Sequence, residues 1–111
     1  MFTLFTYGTL QREDIQVDLF QRTLDGVPDR LVGYQMTAIN LAAGDGRYQQ
    51  YPVIFPTGNL EDVVEGVRFQ ITEEEMLRAD EYEGESYHRA EVILESGRLA
   101  WVYVAATSAG G

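Results

Sequence analysis

Residues 2–10 read Phe-Thr-Leu-Phe-Thr-Tyr-Gly-Thr-Leu, and this stretch sets the first part of the fold. Apolar and polar side chains alternate and aromatic residues are frequent, which is typical of a half-buried β-strand. Gly8 then breaks the strand, because glycine adopts backbone conformations that other residues avoid. The stretch therefore predicts a strand followed by a tight loop, Tyr7-Gly8-Thr9-Leu10.

The pattern after this loop predicts one helix and then several strands. Residues 13–24 carry apolar side chains at near-helical spacing, and Gly26 and Pro28 are expected to stop that helix. Further strands are predicted at residues 31–36, 51–55, 63–71, 87–94 and 99–104. Gly66 is a candidate β-bulge, and residues 42–46 are expected to form a flexible loop.

A second helix is predicted to begin at Thr72, which has the spacing of a capping box with Glu75, and to end at Gly84. Many strands with two short helices indicate an α+β fold, whose sheet is largely antiparallel or mixed and is compatible with closure into a barrel. A length of 111 residues fits one domain. We expect that domain to occupy residues 1–105 and the C-terminal residues 106–111 to be a flexible tail.

The composition excludes several classes of function. The formal net charge is −10, which disfavours nucleic acid and anionic membrane surfaces as partners. No apolar run approaches the roughly 20 residues that span a bilayer, and no signal peptide is visible. The chain has no cysteine, so disulfides, thiolate nucleophiles and cysteine-ligated zinc are excluded. We expect a cytoplasmic protein of unknown oligomeric state.

Cofactor and metal motifs are also missing. His88 is the only histidine, so a histidine-based metal site would have a single imidazole. No nucleophile elbow accompanies it, and its simplest interpretation is a partly exposed strand residue. The chain has no Walker A loop and no Gly-x-Gly-x-x-Gly motif after its first strand. We therefore expect neither a cofactor nor a metal.

Two features remain that could carry chemistry. In the loop Tyr7-Gly8-Thr9-Leu10, a strand ends and a helix soon begins, so several backbone N–H groups can point toward one anionic group. The alternative is an ordinary strand-to-helix turn. The second feature is Glu83 at the end of the predicted second helix.

Glu83 has an unusual position for an acidic residue. It follows Met76 and Ala79 at helical spacing, on the face predicted to point inward. It also lies at a helix C-terminus, where the helix dipole disfavours negative charge. If it is partly buried, its pKa should be raised, which suits a group that accepts and then returns a proton near neutral pH. The alternative is an exposed glutamate before a glycine cap.

Short motifs occur in a definite order along nearly the whole chain. They are Tyr7-Gly8-Thr9-Leu10, Gly33-Tyr34, Tyr51-Pro52, Val64-x-Gly66 before Phe69, and Asp80-x-x-Glu83-Gly84-x-x-Tyr87-x-Arg89. Each is weak alone, but the ordered set resembles the gamma-glutamylcyclotransferase-like family, in its AIG2-like branch. The chain departs from the family pattern at Ala79, at Val67 and at residues 12–16, the last of which affect the expected pocket rim.

The resemblance implies a mixed, mostly antiparallel β-barrel flanked by short helices. It also implies a reaction in which the α-amine of a γ-glutamyl group attacks its own γ-carbonyl, giving 5-oxoproline and a free amine or amino acid. Glu83 is then the catalytic general base and acid. Tyr7, Gly8, Thr9 and Leu10 bind the small-molecule substrate, and Tyr87 lines the pocket or donates a hydrogen bond to it.

Two other hypotheses stay open at this point. The departures at residues 12–16 allow a non-catalytic module that binds a small acidic γ-glutamyl-like ligand. A purely structural or interaction domain would leave Glu83 exposed and no cavity beside the first loop.

Overall fold

The computed structural model describes residues 1–42 and 48–105, with side chains described for residues 1–38 and 50–105. The elements in chain order are β1 (Phe2–Thr6), α1 (Glu13–Phe20), β2 (Gly26–Val32), β3 (Tyr34–Ala42), β4 (Tyr48–Pro56), β5 (Val63–Ile71), α2 (Glu73–Glu83), β6 (Tyr87–Ile93) and β7 (Leu99–Ala105). Short 3-10 turns precede α1, at Thr9–Gln11, and follow α2, at Gly84–Ser86. The loop predicted at residues 42–46 lies outside the described residues, except for Ala42, which belongs to β3. The tail predicted at residues 106–111 also lies outside them.

Strand β1 lies in the middle of a five-stranded sheet with the order β2-β5-β1-β7-β6. It pairs parallel with β7, and the other pairings of this sheet are antiparallel. The α+β class and the mixed, mostly antiparallel sheet are confirmed. The predicted barrel is wrong: β3 and β4 pair with each other instead of bridging β2 and β6, so the main sheet stays open at both edges.

The two faces of β1 contribute to two separate cores, because successive side chains of a strand point to opposite sides. Leu4 packs with residues of the helices, including Phe20 and Met76. Phe5 is fully buried on the other face, where Ile54 of β4 joins its cluster. The main sheet therefore lies between a helical layer and the β3–β4 sheet.

Helix α1 is shorter than the predicted 13–24. It ends at Phe20 because Gln21 adopts the left-handed conformation, with φ 59°. The buried Gln16 amide then fixes the returning chain: its Oε1 accepts a 2.9 Å hydrogen bond from the Leu24 N–H. A side chain that satisfies backbone groups outside the helix makes this early ending favourable.

The strand predicted at residues 31–36 is two strands, β2 and β3, separated by Gly33 with φ +87°. Gly26 and Pro28, expected to stop a helix, instead lie in β2. Proline is tolerated there because β2 is an edge strand. The other predicted strands are present, although β4 extends beyond the predicted 51–55 at both ends.

Gly66 is not a bulge, since β5 pairs with β2 in one continuous register. Its role is steric. A Cβ at this position would lie 2.2 Å from the Thr6 carbonyl oxygen and 2.6 Å from the Phe5 ring. Glycine therefore lets β1 and β5 approach closely just where the loop after β1 begins.

Helix α2 begins and ends as predicted. Thr72 Oγ1 accepts from the Glu75 N–H at 3.1 Å, and Glu75 Oε1 accepts from the Thr72 N–H at 2.9 Å, which confirms the capping box. Met76 and Ala79 are buried against the sheet, and Gly84 caps the C-terminus. Within the described ranges, no helix has the length and apolar character needed to cross a bilayer.

Candidate active site

A cavity of about 310 Å³ lies at the carboxyl ends of the parallel strands β1 and β7. Its lining comes from the loop after β1, from β4, from the end of α2 and from β6 and β7. The lining residues are Phe5, Thr6, Tyr7, Gly8, Thr9, Leu10, Tyr51, Pro52, Tyr82, Glu83, Tyr87 and Tyr103. The cavity thus brings together all six predicted site residues.

Glu83 is the charged residue of this lining. It is the last residue of α2 and shares a face with the buried Met76 and Ala79, as predicted. Burial raises the pKa of its carboxyl group from 4.5 to about 7. Within the described part of the chain, its carboxylate has no hydrogen-bond or ion-pair partner that would lower the pKa again. A carboxyl group in this state exchanges protons readily near neutral pH.

The loop after β1 is held in place by its carbonyl groups. Leu10 is buried in the helical core. Its carbonyl oxygen accepts a 2.9 Å hydrogen bond from Gln16 Nε2, and Gln11 Nε2 donates to the Thr6 carbonyl at 2.8 Å. These bonds fix the loop from α1 and from the 3-10 turn, without using its N–H groups.

The N–H groups of the same loop are free. Among residues 1–42 and 48–105, no protein acceptor receives a hydrogen bond from the backbone N–H of Gly8, Thr9 or Leu10. Buried backbone N–H groups are otherwise almost always paired. Consecutive free donors beside a cavity are suited to binding an anionic or partly negative oxygen.

Gly8 differs from the expectation in one respect. Its φ is −142°, so it does not use the left-handed conformation that glycine alone adopts easily. A Cβ there would meet only the Pro52 side chain, at 3.4 Å. The absence of a side chain therefore matters for space at the cavity wall more than for the backbone angle.

Two tyrosines form walls of the cavity through hydrogen bonds to backbone carbonyls. The Tyr7 hydroxyl donates to the Tyr103 carbonyl oxygen at 2.5 Å, and the Tyr87 hydroxyl donates to the Pro52 carbonyl oxygen at 2.7 Å. Burial, and next the neighbouring Glu83, raise the pKa of Tyr87 to about 12. Tyr87 thus lines the cavity, which is one of its two expected roles, while its hydroxyl proton is directed to the Pro52 carbonyl oxygen.

Several lining residues were not predicted to belong to the site. Tyr82 precedes Glu83 and bonds to Thr9: the two hydroxyl oxygens are 2.7 Å apart. Tyr103 enters from β7, and the Tyr51-Pro52 pair enters from β4. The Tyr51-Pro52 motif could have indicated from the sequence that these two residues line the cavity. For Tyr103 no such motif exists, and only the pairing of β7 with β1 places it there.

His88 lies outside this cavity and is exposed on β6, in agreement with its interpretation as a strand residue. In the described part of the chain, no three His, Asp or Glu side chains are grouped as ligands for a metal ion. Glu83 carries the single carboxylate among the described residues that line the cavity.

The fold is similar to that of several solved structures. The solution structure of At5g39720.1 from Arabidopsis thaliana has a TM-score of 0.76 and 24% identity, covering 96% of this chain and 69% of that one. For At3g28950.1 from the same plant, the TM-score is 0.72 at 24% identity, with 94% and 61% covered. A protein described as gamma-glutamyl cyclotransferase gives 0.73 at 18% identity, with 95% and 66% covered.

These likenesses concern the fold, and this chain spans 61% to 69% of the length of those three proteins. No curated protein sequence matches the chain. A family model described as "Gamma-glutamyl cyclotransferase, AIG2-like" matches residues 4–110, which is nearly the full length. The chain that forms this cavity is therefore a member of the gamma-glutamyl cyclotransferase, AIG2-like family.

Proposed function

We propose that this protein is an enzyme that cyclises a γ-glutamyl group to 5-oxoproline and releases an amine or amino acid. The observation that supports this most directly is that one cavity is lined both by Glu83 and by Gly8, Thr9 and Leu10, whose backbone N–H groups donate to no acceptor among the described residues. The first can move a proton, and the second can receive negative oxygen atoms.

Glu83 is proposed as the proton shuttle. The substrate α-amine is protonated at neutral pH and must lose a proton before it can attack. With a pKa of about 7, Glu83 is partly ionised at neutral pH and can accept that proton. It then returns the proton to the leaving nitrogen. General acid–base catalysis of this kind contributes roughly 10²–10⁴-fold in rate.

The bonds balance without another reactant. A bond forms between the α-nitrogen and the γ-carbon, and the bond between the γ-carbon and the leaving nitrogen breaks. The α-ammonium nitrogen loses two protons on becoming the ring N–H, and the leaving nitrogen gains two on departing as an ammonium group. Glu83 is proposed to carry these protons one at a time. The nucleophile and the carbonyl belong to one molecule, so the cavity needs to select the folded conformation rather than bring two reactants together.

The loop after β1 is proposed to bind the oxygens of the substrate. Its free N–H groups would hold the α-carboxylate and stabilise the γ-carbonyl oxygen as that atom gains charge. Removing one such donor typically costs about 10²–10³-fold in rate. Because β1 and the carbonyl contacts of Gln11 and Gln16 fix the loop, these donors need little rearrangement in the transition state.

The direct test incubates purified protein with a panel of γ-glutamyl peptides and γ-glutamyl amines and measures 5-oxoproline by mass spectrometry. We expect Glu83→Gln to lose at least about 10²-fold in kcat. Glu81→Gln, an exposed acid two residues earlier on α2, is the matched control and should keep its activity. Full activity of Glu83→Gln would refute the mechanism.

The same panel separates catalysis from binding alone. Calorimetry that detects binding of γ-glutamyl compounds, with no 5-oxoproline released from any of them, would instead support the non-catalytic binding module.

A further inference from the structure

The carboxylate of Asp80 lies one helical turn before Glu83, and one of its oxygens accepts a hydrogen bond and also forms an ion pair. The Tyr103 hydroxyl donates to Asp80 Oδ1 at 2.7 Å, and Arg89 Nε lies 2.7 Å from the same atom. Residues three apart on a helix are neighbours on its surface. Asp80 and Glu83 are therefore neighbours on α2, and the Tyr103 hydroxyl that reaches Asp80 is also within electrostatic range of Glu83.

We propose that Asp80 is a positioning residue that keeps the Tyr103 hydroxyl and the Arg89 guanidinium away from Glu83. Both groups are strong donors that would stabilise an ionised carboxylate. Because Asp80 holds both groups, no hydrogen bond or ion pair from them reaches the Glu83 carboxylate. The functional value of this arrangement rests on the proposed role of Glu83 as proton shuttle.

The Tyr103 hydroxyl is near both carboxylates. Burial raises the pKa of Tyr103 above its usual value most strongly, its hydrogen bond to Asp80 comes next, and the negative charge of Glu83 adds to the effect. Its ring also lines the cavity. Of the two carboxylates within electrostatic range, the hydroxyl donates to that of Asp80 at 2.7 Å, and it also lies 4.0 Å from the Met76 sulfur.

Arg89 is held on the side away from the main cavity. Its guanidinium carbon lies 5.1 Å from the centre of the Trp101 ring, a cation–π arrangement. Arg89, Trp101 and Asp80 line a separate shallow cavity on the outer side of Tyr87 and Tyr103. Arg89 thus lies with Asp80 and Trp101 in this second cavity, whereas no arginine of the described residues lines the Glu83 cavity.

Stability alone does not explain this ion pair. The side chains of Arg89 and Asp80 are 28% and 33% exposed, and pairs in contact with water contribute only about 0–1 kcal/mol. Its position next to Glu83 is the more informative property.

Titratable and charged groups lie on every element packed around the cavity. They are Tyr7 from the loop after β1, Tyr51 from β4, Asp80 and Tyr82 from α2, Tyr87 and Arg89 from β6, and Tyr103 from β7. Asp80 alone contacts both a cation and a hydroxyl donor of this set.

The test follows the Glu83 carboxyl group by ¹³C NMR titration in protein labelled at glutamate, with its signal assigned by its loss in Glu83→Gln. In Asp80→Asn, the released donors should turn to Glu83 and lower its titration midpoint by about one pH unit or more. Asp80→Asn with Arg89→Gln restores the net charge of the wild type, and its midpoint should move back toward the wild-type value. The exposed Glu81→Gln should leave the midpoint in place.

The titration needs no substrate, so its result tests the role of Asp80 independently of the proposed reaction. An Asp80→Asn midpoint that equals the wild-type or Glu81→Gln midpoint would overturn the proposal. Tyr103→Phe provides a second variant if Asp80→Asn does not fold. Since its hydroxyl already faces Asp80, the Glu83 midpoint should not change, and a rise would show that Tyr103 serves Glu83 directly.

Discussion

The side-chain oxygens of Thr9 and Tyr82 lie 2.7 Å apart, so one hydrogen bond joins the loop after β1 to the last turn of α2. This contact connects the two parts of the proposed machinery, the N–H groups of the loop and the carboxylate that ends the helix. Tyr82 is 39% exposed, so the bond closes the rim of the cavity rather than its floor.

Thr9→Val should reduce kcat/KM by about two- to tenfold, because a single hydrogen bond contributes about 0.5–1.5 kcal/mol. Tyr82→Phe should give a similar loss, and the double variant should be no worse than either single variant. Thr3→Val is the matched control: it removes a hydroxyl on β1 that accepts from Gln70 at 2.7 Å and does not line the cavity. Additive losses in the double variant would show that the two hydroxyls act separately.

Glu83→Gln should stabilise the fold at high pH even though it removes the proposed proton shuttle. Folding raises the pKa of Glu83 from 4.5 to about 7. The associated stability is complete below pH 4.5 and is lost as the pH rises through 7. Above pH 7 the ionised carboxylate therefore destabilises the fold, by at most about 3 kcal/mol.

Urea unfolding of the wild type and of Glu83→Gln from pH 4 to pH 8 measures this effect. The advantage of the variant should grow between pH 4.5 and 7 and then level off. An advantage of the same size at every pH would contradict the raised pKa, and Glu81→Gln controls for the loss of one exposed charge.

The activity should follow the ionisation of the same group. Only ionised Glu83 can accept the substrate proton, so kcat/KM should fall about tenfold per pH unit below pH 7. A profile that stays flat down to pH 5 would exclude Glu83 as the base.

Glu75 should show the opposite dependence on pH. It accepts 2.8 Å hydrogen bonds from Arg22 Nε and Nη2 and one from the Thr72 N–H. Its pKa is lowered from 4.5 to about 2, chiefly by the Arg22 hydrogen bonds. This stability is present above pH 4.5 and is lost as the pH falls through 2. Glu75→Gln should cost about 1–3 kcal/mol at pH 7.

The matched control for Glu75 is Glu74→Gln, whose carboxylate is 76% exposed and pairs with Arg78. Chemical denaturation at pH 7 should show a loss below about 1 kcal/mol for that variant. Equal losses of unfolding free energy in Glu75→Gln and Glu74→Gln would mean that the capping carboxylate of Glu75 stabilises the fold no more than an exposed one.

The charge of the cavity predicts which leaving groups are accepted. Among the described lining residues none is Lys or Arg, and Glu83 carries the only carboxylate. γ-Glutamylalanine and γ-glutamylethylamide differ only by the carboxylate of the leaving group. The ethylamide should have a kcat/KM at least about tenfold higher, because an unpaired buried charge costs more than about 1.4 kcal/mol.

A cation at the rim should reduce that preference. Tyr82→Arg should be compared with Tyr82→Phe, because both variants lose the hydrogen bond to Thr9. In Tyr82→Arg, the kcat/KM for γ-glutamylethylamide should exceed that for γ-glutamylalanine by a smaller factor. A higher kcat/KM of the wild type for γ-glutamylalanine would contradict this prediction. It would mean that the leaving group does not contact the described residues that line the cavity.

The sequence was informative wherever the deciding interactions are local. The capping box of Thr72 and Glu75 spans four residues, and the inward position of Glu83 follows from helical spacing after Met76 and Ala79. Both were predicted correctly. The raised pKa of Glu83 followed from the same local placement, with partial burial as the condition.

The errors concern interactions between distant segments. The barrel failed because the pairing of β3 with β4, rather than with the edge strands, depends on contacts that no local pattern encodes. Gln21 ended α1 early because Gln16 reaches Leu24, which helical spacing does not reveal. Tyr103 and its bond to Asp80 became visible only once β7 was placed beside β1.

The Tyr87–Pro52 hydrogen bond has a consequence for how this family can diversify. It fastens strand β4 to the main sheet at the cavity wall, while Glu83 and the loop after β1 belong to the main sheet and its helices. The part of the cavity wall that contains Tyr51 and Pro52 therefore belongs to a separate two-stranded sheet. If the proposed reaction holds, we expect changes of sequence in these two strands to alter which leaving group fits, while Glu83 and the loop after β1 stay in place.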